Sequence, residues 1–172
     1  MNKVYGRLSD FGLIRRDFSR HIIGYNLTPV GDGEHYTWNE IYLYKKQHPT
    51  LTMEDVKQLI TEDINAMTKE KILSGFEWNG IKVWLSDANQ RNFSDAQRIA
   101  VQTEGESLPV RFKLGETSEG EAIYHTFETL RDINNFYLAM VQYIQECLTN
   151  GWAMKDGMVW GTYEKALEMP QQ

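Results

Sequence analysis

The chain has 172 residues, 41% of them hydrophobic, and a formal net charge of −6, which suits one domain with a sizeable core, or a domain with an appendage. Its acidic balance opposes generic nucleic-acid binding, which needs a basic stripe to displace counterions, and opposes a polybasic membrane-binding surface. A single cysteine, Cys147, excludes an intramolecular disulfide and fits a reducing compartment or a virion assembled inside one, and no long apolar run near the N-terminus marks a signal peptide or a transmembrane helix.

Residues 1–50 read as an irregular N-terminal arm with short strands. Residues 3–8 suit one such strand. Arg15, Arg16, Arg20 and His21 form a local basic cluster, which reads as solvated charge rather than an anion site. Residues 28–33, with Pro29, Gly31, Asp32 and Gly33, read as a turn or loop. Residues 35–44 alternate as a strand, with Tyr36 and Trp38 on one face at period two and Tyr42 and Tyr44 less cleanly so. The arm is rich in aromatic residues, Tyr5, Phe11, Phe18, Tyr25 and Trp38 among them, with few apparent core partners. It is therefore expected to pack in part across a neighbouring subunit or partner.

Residues 51–172 read as an α+β domain. Thr52 with Asp55 resembles a capping box with Asp in place of Glu. Val56, Leu59, Ile60, Ile64 and Met67 share one helical face, so the spacing predicts a helix that ends near residues 65–68. The next stretch is the most legible. β-branched and aromatic residues flank Asn79-Gly80, a dipeptide that tolerates positive φ at both central positions and so predicts a type I′ hairpin. Gly75, just ahead of it, is a candidate bulge. Ser86 or Asp87 can cap the orphan amides of a second helix over residues 87–103, with Gly105 placed to stop it. Alternating runs at 108–114 and 122–127 predict a second hairpin with a polar loop. Thr129 and Asp132 cap a third helix whose apolar stripe runs through Ile133, Phe136, Tyr137, Met140, Ile144, Cys147 and Leu148. Asn150-Gly151 is expected to end that helix, with short irregular structure from Trp152 to Trp160 and a last helical turn over 163–167. The order helix–hairpin–helix–hairpin–helix predicts an α+β fold in which two antiparallel hairpins form a small sheet packed against about three helices.

Chemistry is harder to find. The histidines, His21, His35, His48 and His125, show no metal-ligand spacing, and His125 reads as an ordinary sheet residue. Cys147 falls on an apolar helix face and reads as a buried, inert thiol. Gly115 and Gly120 have the spacing of glycines in a phosphate loop, but the Lys-Ser/Thr and the following helix are missing and the intervening residues are acidic. No pair of carboxylates is marked out for glycoside hydrolysis. Catalytic, metal and cofactor residues are accordingly not expected. The candidate contact patch is aromatic and polar: Tyr36, Trp38, Trp78, Trp84, Asn89 and Gln90. It reads as a sugar or peptide surface, or else as core indoles beside the exposed first turns of a helix.

Gly75-Phe76-Glu77-Trp78-Asn79-Gly80, then Val83-Trp84-Leu85-Ser86 and Asn89-Gln90 ahead of a helix, resemble the hallmark of domain of unknown function 4376. That family occurs in bacteriophage and prophage proteins, often near the C-terminal end of tail-fibre or tail-fibre-assembly proteins. Leu108-Pro109, the junction from Phe127 to Leu130 and the long third helix fit the same pattern, so the resemblance covers about residues 55–157. These are turn and core residues, which carry a shared fold better than a shared activity, and the family brings no catalytic residues. The resemblance implies a non-enzymatic phage or prophage tail or tail-fibre accessory protein, structural or assembly-related, in the bacterial cytoplasm or the virion. Its partners would be tail components or further copies of itself, with no nucleic acid, membrane or cofactor. The alternative is a carbohydrate- or peptide-binding module that uses exposed aromatics.

Overall fold

The computed structural model describes residues 2–31 and 33–169. Asp32 of the expected turn and residues 170–172 of the expected 51–172 domain lie outside the described residues. The fold is α+β, with eight strands in three antiparallel sheets and four α-helices among the described residues. It divides into two compact units, residues 1–67 with 152–172, and residues 68–151.

In the first unit the N-terminal segment is not an irregular arm. Strands β1 (Asn2–Arg7), β2 (Ile14–Arg16), β3 (Arg20–Pro29) and β4 (His35–Tyr44) form one sheet in the order β1-β4-β3-β2. Two physical facts hid it. β1 pairs with β4 across some thirty residues, from Asn2↔Glu40 to Arg7↔His35, and local patterning does not report such a partner. In β3, residues 21–25 are all buried, so the run lacks the period-two alternation of a half-solvated strand. Ile14, Ile23, Tyr25 and Leu43 form a core with Val56, Ile60 and Ile64 of α1 (Met53–Ser74) and with Tyr163 of α4 (Trp160–Glu168). The Tyr163 hydroxyl donates to the Gly24 carbonyl at 2.9 Å. The arm's aromatics thus have core partners within their own unit, although Tyr5, Phe18 and Tyr44 stay exposed.

α1 opens on the expected reciprocal cap. Thr52 Oγ1 accepts from the Asp55 amide at 3.2 Å, and the Asp55 carboxylate accepts from the Thr52 amide at 2.8 Å. The helix runs past residues 65–68 to Ser74, because Lys69, Glu70 and Lys71 are good helix formers and no breaker intervenes before Gly75. Gly75 is not a bulge. It lies between α1 and β5, where a Cβ would stand 2.7 Å from the Lys71 carbonyl oxygen and 2.3 Å from the Tyr143 hydroxyl.

The second unit contains β5 (Phe76–Trp78), β6 (Ile81–Val83), α2 (Asp87–Gln102), β7 (Val110–Glu116), β8 (Ala122–Phe127) and most of α3 (Leu130–Asp156). Asn79 (φ +49°) and Gly80 (φ +78°) make the expected type I′ connection. The two hairpins remain separate two-stranded sheets instead of one. A bulge between Lys113 and Gly115 breaks the regular register of β7, and bulges of this kind bend a strand and end its pairing. α2 ends on Glu104 and Gly105, both at positive φ, with the Gly105 amide bonded to the Ala100 carbonyl at 2.8 Å. α3 does not stop at Asn150-Gly151. Gly151 is buried within the helix, and a Cβ there would lie 2.4 Å from Thr68 Oγ1. The glycine marks a close approach between helices, and the irregular stretch expected after it is helical to Asp156. The single turn expected over 163–167 belongs to a nine-residue helix, α4. The core of this unit gathers Phe76, Val83, Leu85, Phe93, Leu114, Phe127 and Phe136, with Phe93 and Phe136 edge to face at 5.0 Å.

Candidate binding groove

The most promising site grows from the junction of β6 and α2 in the second unit. Alternation along residues 83–85 buries Val83 and Leu85 and leaves the Trp84 indole between them 51% exposed. Ser86 then caps α2, its Oγ accepting from the Asn89 amide at 3.2 Å. With the helix started there, two side chains of its first turn reach back. Asn89 Nδ2 donates to the Trp84 carbonyl at 2.7 Å, and Gln90 Nε2 donates to the Leu85 carbonyl at 2.8 Å. The Leu85 amide is held by the Leu73 carbonyl at 2.9 Å. The backbone that presents Trp84 is therefore pinned on both sides.

The opposite wall comes from β7. Gly115 lies so close to β6 that a Cβ on it would stand 2.3 Å from the Lys82 carbonyl oxygen. Beyond that contact a groove of about 590 Å³ opens, lined by Trp84, Asn89, Lys82, Lys113, Leu114 and Glu116 among others. Val83 and Leu114 give it an apolar wall, while its lip is polar. Lys113 Nζ bonds Glu116 at 2.5 Å, and this hydrogen bond raises the lysine pKa and lowers that of the carboxyl. A volume in the range of roughly 300–1,000 Å³ typical of ligand sites, with one flat indole and a few polar groups, suits an inserted side chain or a sugar ring.

A sequence model of the family described as Domain of unknown function (DUF4376) matches residues 55–168. The chain belongs to this family. The matched DUF4376 segment contains the whole groove and ends with the last residue of α4. No curated protein and no solved structure matches the chain.

The six residues expected to form one patch have different fates. Trp84 and Asn89 line the groove of the DUF4376 segment, and Gln90 stands beside them as a clamp on the backbone. Trp78 is half-buried, its ring edge-to-face on Phe136 at 5.5 Å, and its buried Nε1 finds no hydrogen-bond partner among the described residues. Tyr36 and Trp38 belong to the first unit. Trp38 is 2% exposed and donates Nε1 to Glu40 at 2.7 Å, so it is a core residue and not an exposed platform. Lys82, Lys113 and Glu116 carry no site signal in the sequence. Their polar side chains at alternate strand positions are the ordinary pattern of a solvated face, and only the approach of β7 to β6 makes them neighbours.

The remaining polar groups are engaged structurally. Arg15 pairs with Glu40 and Arg20 with Asp17, so half of the basic cluster is neutralised within the first unit. Asp17 accepts from the Ser19 and Arg20 amides and from Arg20, which lowers its pKa to about 2. His125 Nε2 lies 3.1 Å from Asp132, away from the groove. Cys147 is buried beside the Tyr143 hydroxyl, which donates to the Lys71 carbonyl at 2.6 Å; burial, then the thiol, raises the tyrosine pKa. Among the described residues no group of three or more His, Cys, Asp or Glu gathers as a metal site, and no helix is long and apolar enough to cross a membrane.

Proposed function

We propose that this chain is a phage or prophage tail or tail-fibre accessory protein that acts by protein–protein contact, without a catalytic step, and that the groove beside Trp84 is its contact surface. The observation that carries the contact is the exposed Trp84 on a junction pinned by Asn89 and Gln90. An indole anchored at the edge of an apolar groove is the kind of residue that dominates binding energy at protein interfaces. The assignment to a tail rests on the family resemblance of residues 75–90. Place of action follows the partner, in the bacterial cytoplasm or in the particle. A photo-crosslinking amino acid at position 84, introduced in a lysogen that carries the gene, tests this. A covalent adduct with a tail or tail-fibre component, identified by mass spectrometry and absent with the linker at exposed Glu164, is the expected result. Adducts confined to metabolic enzymes, or no tail component at either position, would refute it.

The polar lip favours a second reading of the same groove, a carbohydrate site, because sugars combine an apolar ring face with hydroxyls. Saturable quenching of Trp84 fluorescence by oligosaccharides, lost in Trp84→Ala, would select it over the first.

A further inference from the structure

The helix-covered face of the first unit's sheet changes character along its length. Between Ile14, Ile23, Ile41 and Leu43 it is apolar and packs against α1. Past Tyr25 the same face carries hydroxyls, amides and one ammonium. The register explains this placement. Lys3, Asn39 and Tyr25 form one cross-strand row, and Tyr5, Thr37 and Thr28 form the next. Between Tyr25 and Thr28 strand β3 bulges, and Asn26 takes φ +57°. A non-glycine residue in that conformation is uncommon, and bulges recur where a side chain must be re-aimed toward a site.

The outcome is a recess of about 230 Å³ lined by Lys3, Asn26, Thr28, Thr37, Asn39 and Met67 among others. Lys3 is the charged residue on this lining, in a chain of net charge −6. Asn39 is 3% exposed, yet its Nδ2 donates to the thioether of Met67 at 3.5 Å, a weak acceptor for a buried amide. The carboxylate nearby, Asp63, is engaged by the Tyr25 hydroxyl at 2.7 Å. Donors thus converge here from three strands, where the Thr28 hydroxyl donates to the Asn26 carbonyl at 3.3 Å and the Asn39 side chain also bonds Tyr25. The volume falls below the roughly 300 Å³ at which pockets for drug-sized ligands begin, so a compact group fits better than a polymer.

We infer that this recess binds a small oxyanion, a carboxylate or phosphate group, with Lys3 supplying the charge and Thr28, Thr37 and Asn39 the hydrogen bonds. Charge-assisted bonds to such oxygens are about twice as strong as neutral ones, so an oxyanion is a better acceptor for the Asn39 amide than the Met67 sulfur. This assignment is independent of the groove at Trp84.

The test is an amide NMR titration of the full chain with inorganic phosphate and, separately, with acetate, each against chloride at matched ionic strength. The expected result is saturable shifts centred on residues 3, 28, 37 and 39. A response to phosphate alone names a phosphate group, to acetate alone a carboxylate, and to both the shared oxyanion chemistry. Lys3 is exposed, so Lys3→Met leaves the core intact and should weaken binding at least tenfold. Thr37→Val keeps the side-chain shape and should weaken it at least threefold. Shifts that chloride reproduces, that centre on other residues, or that survive in both variants would overturn the inference.

Discussion

Gly115→Ala tests the close approach of the two hairpins. A Cβ at residue 115 would stand 2.3 Å from the Lys82 carbonyl oxygen and 3.2 Å from Ile81 Cγ2. The first neighbour is backbone, so it cannot swing aside as a flexible side chain would; β6 and β7 must part. Forcing atoms into a packed site costs about 1–3 kcal/mol. Against this, φ at Gly115 lies outside the left-handed region, so alanine also reduces the entropy of the unfolded chain, worth about 0.4–1 kcal/mol in favour of the variant. The clash wins, leaving a net loss of about 1–2 kcal/mol, or a Tm lower by about 2–8 °C for a chain of this size. Gly161→Ala is the control of opposite sign. It lies in α4 with nothing within 4 Å of its Cβ position, and should stabilise by up to about 1 kcal/mol. Thermal and urea unfolding followed by circular dichroism, on both variants and the parent, decide the matter. A Gly115→Ala variant as stable as the parent would refute the abutment of β6 and β7.

Gly80→Val should cost about 1 kcal/mol or more, since a β-branched residue resists φ +78°; an unchanged urea midpoint would count against the type I′ turn. Glu40→Ala removes the acceptor of Trp38 Nε1, the Tyr42 hydroxyl and Arg15. Arg15 is partly solvated and finds water, so the loss should be about 2–4 kcal/mol, read by urea unfolding, and not the full penalty of a buried orphan charge. The lowered pKa of Asp17 adds stability above its ordinary value of 3.8 that is lost as pH falls toward about 2; the drop in Tm between pH 4 and pH 2 should therefore shrink in Asp17→Asn. Deleting residues 1–48 strips the sheet from Val56, Ile60, Ile64 and Tyr163, so the truncated chain should bind a hydrophobic dye and lose the first unit's share of the melting transition, where a detachable arm would leave both unchanged.

Local chemistry made much of the second unit legible. Asn79-Gly80, Ser86 and the apolar stripe of α3 each act over a few residues, and each stands where its pattern placed it. The first unit was less legible because its sheet depends on pairings such as Val4↔Trp38, and because a strand buried on both faces does not alternate. Glycines misled for a related reason. In sequence Gly75 and Gly151 suit backbone signals, a bulge and a helix end, whereas both lack a Cβ because another chain segment passes close by. The groove shows the same division. Trp84 and Asn89 could be named from sequence, but that Trp38 is core follows from its hydrogen bond to a buried carboxylate two residues on. Lys82 and Glu116 become neighbours only through the contact at Gly115.

The first unit is built from residues 1–67 and 152–172, whereas the second is one continuous run, 68–151. On a ribosome the two therefore meet different fates. All of the second unit's chain is available as soon as residue 151 has emerged. The sheet of residues 2–44 must wait for Tyr163, whose hydroxyl reaches Gly24 across 139 positions. At roughly 5–20 residues per second that interval lasts several seconds to tens of seconds. During it Ile23, Tyr25 and Leu43 lack part of their cover, and the nascent chain is open to chaperones or to a waiting assembly partner. An arrest with residue 151 emerged and residue 163 still enclosed would leave the later-numbered unit whole and the first-made strands incomplete.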